Sequence, residues 1–259
     1  MTHPFLDGPR PRALAHRGWH LDDLAGMENS LSAFARAAAE GYRYVETDVH
    51  ATADGVVVVH HDPTLDRTTD RTGAIAELPF AEVSRAKVGG REPVCSLDVA
   101  LEELPETSFN VDIKADSAVE PVLRAVRRHD AWDRVCLASF SDKRLARLRA
   151  GGGPRLLTSA GQRSAGLLWL SSRLPVSPLR RLVGGAAAQV PPRHKGLEVI
   201  DSRFVERAHR WGLEVHAWTV DDAAEMTRLL DLGVDGLVTD RPDVLREVLR
   251  ERSADPAAW

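Results

Sequence analysis

The feature that most constrains the fold is a regular alternation of short apolar runs with helical patterns. Eight strand-like runs are predicted, at residues 12–16, 44–50, 109–114, 135–140, 155–159, 186–190, 213–220 and 236–239. Helical patterns lie between many of them, for example over 119–129, 203–211 and 223–232. Repeated β-then-α units predict a parallel sheet, and eight of them in 259 residues predict a closed (β/α)8 TIM barrel. The alternative is an open doubly wound sheet, although no GxGxxG pattern follows the first strand.

Local signals predict where several helices begin. Asn29 or Ser30 is expected to cap the first helix, and Asp142 and Asp221 are expected to cap the helices after strands 4 and 7. Residues 1–12 are proline-rich and are predicted to form a loose arm, whereas 62–98 form a mixed, turn-rich loop.

Composition excludes several classes of protein. The chain is 43% hydrophobic and 28% charged, as expected for one large globular domain. Its net charge of −4 gives no bulk electrostatic basis for nucleic-acid binding. Two isolated cysteines, Cys95 and Cys136, favour neither a disulfide framework nor a zinc site. No signal-peptide core and no membrane-spanning apolar run occur, so we predict no transmembrane segment and a cytoplasmic location.

The second strand carries the strongest chemical signal. Apolar or β-branched residues alternate with polar ones over 44–50, which places Glu46 and Asp48 on one face. Two carboxylates placed so close together need protons or a cation between them. Hard oxygen ligands favour Mg²⁺ or Ca²⁺ as that cation. The alternative is an exposed, salt-bridged strand, because charged residues are usually at the surface.

Other polar residues are expected at the same end of the barrel. His16 and Arg17 end strand 1, Asp112 and Lys114 point inward from strand 3, and Trp218 follows on strand 7. In a TIM barrel the carboxyl ends of the strands share one mouth. This mouth would therefore gather three carboxylates, histidines, an arginine and a lysine. That combination indicates metal-assisted cleavage of a phosphodiester. A structural ion pair is the alternative role for Lys114.

Nine short motifs follow one another in a specific order along the chain. They are His16-Arg17-Gly18, Glu28-Asn29-Ser30, Glu46-Thr47-Asp48-Val49, Thr52-Ala53-Asp54-Gly55, His61-Asp62, Arg67-Thr68-Thr69, Ser139-Phe140, Trp218-Thr219-Val220 and Thr239-Asp240-Arg241-Pro242. In this set and order the chain resembles the glycerophosphodiester phosphodiesterase family over about residues 13–245.

The resemblance implies a complete enzyme of this kind. Residues 1–259 would form a single TIM-barrel phosphodiesterase domain with a small insertion after strand 2, at about 51–98. The enzyme would hydrolyse a small-molecule glycerophosphodiester to glycerol phosphate and an alcohol, with a divalent metal ion, Mg²⁺ or Ca²⁺.

The resemblance also implies roles for individual residues. His16 and His61 would be the acid–base pair, Arg17 and Lys114 would bind phosphate, and Glu46 and Asp48 would hold the metal. The family's third ligand is usually glutamate; here it is Asp112, one methylene shorter. Trp218 either stacks on the substrate or fills the barrel mouth.

Three alternatives remain from the sequence. A lysophospholipase D activity is favoured if the apolar and arginine-containing segment 161–185 contacts lipid rather than packing on the barrel. A non-catalytic phosphoester-binding barrel would not need both His16 and His61. An amidohydrolase is not indicated, since strand 1 lacks an H-x-H pattern. The leaving alcohol, the metal and the oligomeric state are left open.

Overall fold

Eight parallel strands form a barrel in the computed structural model, which describes residues 3–174 and 178–253. The strands are β1 (Arg12–His16), β2 (Tyr44–Ala51), β3 (Ser108–Ile113), β4 (Val135–Ala138), β5 (Leu157–Thr158), β6 (Ala187–Val190), β7 (Glu214–Ala217) and β8 (Gly236–Thr239). Their order is β5-β4-β3-β2-β1-β8-β7-β6, and a parallel bridge between Ser159 and Ala187 joins its two ends. The predicted TIM barrel is confirmed, and the open sheet is wrong.

A helix follows each strand and runs back along the outside of the barrel. The helices are α1 (Leu31–Ala39), α2 (Leu97–Glu103), α3 (Val119–Arg128), α4 (Asp142–Gly152), α5 (Gln162–Ser172), α6 (Ser202–Arg210), α7 (Ala223–Asp231) and α8 (Pro242–Arg252). Short 3-10 helices lie at Pro4–Leu6, Asp22–Leu24, Ile75–Glu77, Asp116–Ala118, Ala131–Arg134 and Pro178–Leu182. None of the described helices is long and apolar enough to cross a membrane.

Two of the predicted helix caps are wrong by one residue. Ser30 caps α1 as expected, but α4 is capped by Ser141 and α7 by Asp222. A capping residue keeps an extended backbone just before the first helical residue, and α4 already includes Asp142. Asp142 instead accepts a hydrogen bond from the Arg163 backbone N–H at the start of α5.

The hydrophobic core has two layers. The outer layer packs the helices against strand residues such as Val45, Val111 and Ile113. Inside the barrel, Leu14, Tyr44, Cys136, Leu157 and Val238 pack with Phe5. Phe5 is fully buried and meets the Tyr44 ring edge-to-face at 5.2 Å. The expectation of a loose arm is therefore wrong for Pro4–Leu6, because this apolar ring closes the floor of the barrel.

A buried ion pair between Arg12 and Glu214 ties β1 to β7. Arg12 donates from Nε and Nη2 to the two carboxylate oxygens of Glu214, both at 2.7 Å. The guanidinium and the His216 ring outweigh the effect of burial and lower the pKa of Glu214 to about 2. His216 bonds Glu214 at 3.0 Å and is fully buried.

The expected insertion lies between β2 and α2. Its first strand, Val57–Val59, pairs antiparallel with β2. The rest contains a one-turn helix at Phe80–Val83 and a two-residue pair of strands, Lys87–Val88 with Glu92–Pro93. It has its own apolar cluster, formed by Met27, Val58, Leu65, Ile75, Val83, Ala86, Val88 and Val94. The insertion therefore packs as a small cap and carries His61 to the barrel mouth.

The first part of segment 161–185 forms α5, and this helix packs on the barrel. Leu168 is fully buried on its inner side, while Leu170 and Leu174 are about half exposed. Residues 175–177 of this segment lie outside the described residues. Lipid contact by this segment stays a prediction.

Candidate active site

All eight predicted site residues line one cavity of about 510 Å³ at the carboxyl ends of the strands. They are His16, Arg17, Glu46, Asp48, His61, Asp112, Lys114 and Trp218. Strand alternation accounts for the placement, because Glu46 and Asp48 point inward while Val45 and Val49 join the outer core. The structure thus brings these side chains together, whereas their chemical roles stay predictions.

Asp48 and Asp112 lie side by side because β2 and β3 pair in parallel with these two residues in register. Lys114, just past the end of β3, places Nζ 2.7 Å from Asp48 Oδ1 and 2.7 Å from Asp112 Oδ2. Burial opposes the charge on this lysine, but the two carboxylates outweigh it and raise the pKa of Lys114. Lys114 is therefore a firmly charged cation at the centre of the cluster.

The carboxylates of this cluster differ in their affinity for protons. Burial raises the pKa of Glu46 to about 8, and the negative charge of Asp48 adds to the shift. Burial also raises the pKa of Asp112. For Asp48 the charges of Lys114 and Arg17 overcome burial and lower its pKa. The cavity thus holds negative charge that is only partly balanced, which is the environment that a cation stabilises.

Arg17 reaches Asp48 from a constrained backbone. Arg17 has φ of 56° and Asn29 has φ of 57°, both in the left-handed region, which asparagine tolerates but an arginine seldom adopts. The Asn29 backbone N–H donates to the Arg17 carbonyl oxygen, and its side chain donates to Asp48 Oδ2 at 3.1 Å. Arg17 Nε lies 3.2 Å from that same oxygen. Strained backbone often marks a site whose side chains must be aimed, as here at Asp48.

His16 is oriented by Asp240, at the end of β8. Its Nδ1–H donates to Asp240 Oδ1 at 2.7 Å, while Nε2 lies 3.7 Å from Glu46 Oε2. Burial disfavours the protonated ring, but Asp240 and Glu46 outweigh it and raise the pKa of His16. His20 shares the same Asp240 oxygen at 3.2 Å. Asp221, wrongly expected as a helix cap, accepts hydrogen bonds from Asp240 N–H and Thr239 Oγ1 and fixes this strand end.

His61 is oriented in a similar way from the insertion. Its Nδ1–H donates to Asp62 Oδ1 at 2.6 Å, and its carbonyl oxygen accepts from His50 Nε2. His60 is turned away and bonds the Thr64 carbonyl oxygen, as the alternation of an extended run predicts. Nε2 of His61 bonds no other described residue. Each of the two predicted histidines thus has Nδ1 bound to a carboxylate and Nε2 available to a substrate.

The carboxylate oxygens of the cluster are suitable donor atoms for a divalent cation. No group of three or more His, Cys, Asp or Glu side chains within 3–174 and 178–253 is arranged as a ready metal site. However, Glu46 Oε2 and Asp112 Oδ1 are buried and have no hydrogen-bond partner. Two unpartnered carboxylate oxygens beside Asp48 are hard ligands of the kind that Mg²⁺ and Ca²⁺ take. The residues therefore fit the predicted ion.

The far side of the cavity is apolar. Ala165, Trp169 and Leu197 line it, and the Trp218 ring meets Phe140 edge-to-face at 5.6 Å. Trp169 is held by its indole N–H on the Glu198 carbonyl oxygen and by Arg173, which stacks over its ring at 4.3 Å. This side suits an apolar or polyol part of a ligand rather than a second charged group.

Sequence reasoning assigned no role to several residues that organise the site. Asn29 was expected as a helix cap and as part of a motif, and Glu28 and Asp62 only as parts of motifs. Glu28 binds Arg17 Nη1 at 2.8 Å, and Asp62 binds His61. Glu28 stands next to Asn29 in one motif, and Asp62 stands next to His61 in another. These positions were the available signal in the sequence.

Comparison with known proteins identifies the family. The model of the glycerophosphoryl diester phosphodiesterase family matches residues 16–244. The chain belongs to this family. A relative from Mycobacterium tuberculosis, named "Probable glycerophosphodiester phosphodiesterase 2", is 41% identical over 254 residues, which are 97% of this chain and 95% of that protein. The predicted family and the enzyme class, a phosphoric diester hydrolase, are confirmed.

Two further comparisons bear on fold and substrate. The crystal structure of a glycerophosphodiester phosphodiesterase from Agrobacterium tumefaciens is 26% identical, with a TM-score of 0.71, and covers 90% of this chain and 98% of its own. A lysophospholipase D from Rattus norvegicus is 24% identical over 288 residues, covering 94% of this chain and 87% of that protein. Relatives of this chain are thus named for both activities.

Proposed function

We propose that this glycerophosphodiester phosphodiesterase cleaves glycerophosphodiesters to glycerol phosphate and an alcohol by acid–base catalysis with His16 and His61, assisted by a divalent metal ion. The proposal treats residues 1–259 as one phosphodiesterase domain acting in the cytoplasm. The observation that carries it is that both histidines line one cavity with their Nδ1 atoms held by carboxylates.

Charge stabilisation is the first requirement of the reaction. A phosphodiester repels nucleophiles because its oxygens are negative, and more negative charge develops in the transition state. Arg17 and Lys114, fixed by Asp48 and Asp112, would bind the phosphoryl oxygens and offset that charge. Glu46, Asp48 and Asp112 would hold the metal ion, which would supply Lewis-acid stabilisation of the developing charge.

Proton transfer is the second requirement. One histidine would take a proton from the nucleophile, which is either water or the substrate's own glycerol hydroxyl. In the second case the alcohol leaves with formation of a cyclic glycerol phosphate, and a water molecule must open that ring to give glycerol phosphate. The other histidine would give a proton to the departing alkoxide. Asp240 and Asp62 would hold the rings with Nε2 towards the substrate. His16 comes from β1 and His61 from the insertion, so the two histidines can approach the phosphorus from different sides.

The direct test is an assay of the purified protein against a panel of glycerophosphodiesters with Mg²⁺, with Ca²⁺ and with chelator. We expect release of glycerol phosphate that requires one of the two ions. Activity that survives exhaustive chelation would contradict the metal part of the proposal. Binding of the diesters without turnover would favour the phosphoester-binding alternative instead.

A second candidate function is lysophospholipase D activity. The apolar side of the cavity, with Trp169 and Leu197, favours it because this wall could accept the start of an acyl chain. Replacing Trp169 with Ser should then lower kcat/KM for a lysophospholipid more than for glycerophosphoglycerol. Equal effects on both substrates would count against the acyl chain lying on this wall.

A further inference from the structure

One arginine of the insertion, Arg67, contacts two carboxylates that serve opposite parts of the cavity. Its Nε donates to Asp62 Oδ2 at 2.5 Å, while Nη1 and Nη2 donate to Glu28 at 3.0 and 2.8 Å. Asp62 in turn holds the His61 ring, and Glu28 holds the Arg17 guanidinium. The ion pairs therefore run unbroken from His61 through Arg67 to Arg17.

We propose that Arg67 is a positioning residue that sets His61 and Arg17 together for the reaction, an inference that rests on the proposed function. Arg67 does not line the cavity, so it would act only through Asp62 and Glu28. This positioning role would account for the Arg67-Thr68-Thr69 motif, which is not part of the catalytic cluster.

The geometry requires an arginine in particular. A planar guanidinium can bind one carboxylate with two N–H groups and still present Nε to another, whereas an ammonium has no such fork. The contacts to Glu28 are bidentate, and the Nε contact to Asp62 lies on a different edge. Lysine at this position would keep the charge but could not hold both carboxylates in these orientations.

The pairs matter for orientation more than for stability. Arg67 is about half exposed, and exposed ion pairs contribute little to the free energy of unfolding. Glu28 and Asp62 are less exposed, at 18% and 23%. For Asp62 the bond to Arg67 is the largest effect and lowers the pKa. For Glu28 burial is the largest effect, but Arg67 and Arg17 together outweigh it and lower the pKa, so both carboxylates stay ionised. Arg67 also joins the insertion to the β1–α1 loop, so one contact fixes His61 relative to the barrel.

The first experiment compares Arg67→Met and Arg67→Lys with Arg71→Met. Arg71 is an exposed arginine of the same insertion whose Nε donates to the Arg85 carbonyl oxygen. We expect Arg67→Met to lower kcat and raise KM on glycerophosphoglycerol, for a combined loss of roughly 10–100-fold, as when an outer partner is lost. The activity of Arg67→Lys should lie between those of Arg67→Met and the wild type. The activity of Arg71→Met should stay within about twofold of the wild type. Full activity of Arg67→Met would overturn the inference.

Double-mutant cycles separate positioning from general structural damage. Adding Arg67→Met to Asp62→Asn should lower kcat little further, and adding it to Glu28→Gln should raise KM little further. Fully additive losses in both cycles would overturn the inference. Binding of sn-glycerol 3-phosphate, measured by calorimetry, gives a readout without turnover: we expect Arg67→Met to raise Kd about tenfold. No turnover by the wild type would overturn the proposed function, while an unchanged Kd would overturn only the role of Arg67.

Discussion

At the residue scale, the site depends on how Asp48 is surrounded. It accepts from Asn29, pairs with Lys114 and Arg17, and lies next to Asp112 in register. Its pKa is lowered by the two cations, so it is the carboxylate that stays ionised while burial raises the pKa of Glu46 and Asp112. We therefore expect the loss of Asp48 to weaken metal binding.

We expect Asp48→Ala to abolish metal-dependent activity, because it removes a charged ligand and leaves Lys114 without one of its two partners. Activity at saturating Mg²⁺ or Ca²⁺ and calorimetry of metal binding would measure this. Asp23→Ala is the matched control, since Asp23 is an exposed carboxylate paired with Arg36 on the surface. Undiminished metal affinity of Asp48→Ala would show that Asp48 is not a ligand.

Asp240 gives a prediction about pH. Its carboxylate helps to raise the pKa of His16, so Asp240→Asn should lower that pKa and move the His16 limb of the rate profile to lower pH. If His16 donates the proton, activity is lost earlier on the alkaline side; if it accepts the proton, activity persists further on the acid side. The turnover rate should also fall roughly 10–100-fold, because the ring loses its orienting partner.

The pH–rate profiles of the wild type, Asp240→Asn and Asp243→Asn test this directly. Asp243 is the neighbouring acid on α8 and pairs with Arg241 outside the cavity. Its variant should keep the profile of the wild type. A profile that stays in place for Asp240→Asn would argue against control of His16 by Asp240.

At the element scale, the loop from β1 to α1 is the most constrained piece of the site. Gly18 has φ of +89°, and a Cβ there would lie 2.8 Å from the backbone carbon of Ala33 in α1. The close approach lets the Trp19 backbone N–H reach the Ala33 carbonyl oxygen at 2.9 Å. The glycine of the His16-Arg17-Gly18 motif thus keeps Arg17 next to the cluster.

Gly18→Ala should therefore be more damaging than Gly26→Ala. Both glycines have positive φ, which costs alanine about 1–2 kcal/mol, but nothing lies within 4 Å of a Cβ at Gly26. The clash with α1 should cost Gly18→Ala roughly a further 1–3 kcal/mol of unfolding free energy. Denaturant unfolding of both variants measures the difference. Equal destabilisation would mean that the loop moves freely away from α1.

What the sequence predicts at this scale is local. Glu46 and Asp48 could be assigned to one inward face because alternation along a strand depends only on nearby residues. The bond from His16 to Asp240 joins residues 224 positions apart, and no local pattern specifies such a pair. Phe5 was misassigned for the same reason, since its burial depends on an opening that only the closed barrel creates. The placement of these motif residues at one mouth of the barrel was thus predictable, and the contacts between motifs were not.

At the scale of the whole molecule, the Arg12–Glu214 pair links β1 and β7 through the floor of the barrel. We expect Glu214→Gln to destabilise the fold by roughly 3–5 kcal/mol at neutral pH, because Arg12 is left buried without its anion. The pKa of Glu214 is lowered from 4.5 to about 2, so its contribution to stability is present above about pH 4.5. That contribution is lost as the pH falls towards 2.

Thermal unfolding of the wild type and Glu214→Gln between pH 7 and pH 2 checks the sign. The difference in Tm should be largest at neutral pH and shrink as the wild-type Glu214 takes up its proton. Glu247→Gln, which removes an exposed acid paired with Arg250, should change Tm little at any pH. A difference that grows towards acid pH would contradict the lowered pKa.

The central claim concerns the whole cavity: two histidines from distant parts of the chain act as acid and base on one phosphorus. His16→Ala and His61→Ala should each lower kcat by roughly 10²–10⁴-fold while metal binding is largely kept. His129→Ala is the matched control, because its Nε2 also bonds a carboxylate, Asp98, outside the cavity.

The most direct measurement is kcat of these variants on an ordinary diester and on one with an activated aryl leaving group. An aryl oxide leaves without being protonated, so the variant that lacks the acid should recover most of its rate. The variant that lacks the base should stay slow on both substrates. Near-normal activity of both variants on the ordinary diester, or recovery of neither on the aryl diester, would contradict the two-histidine account.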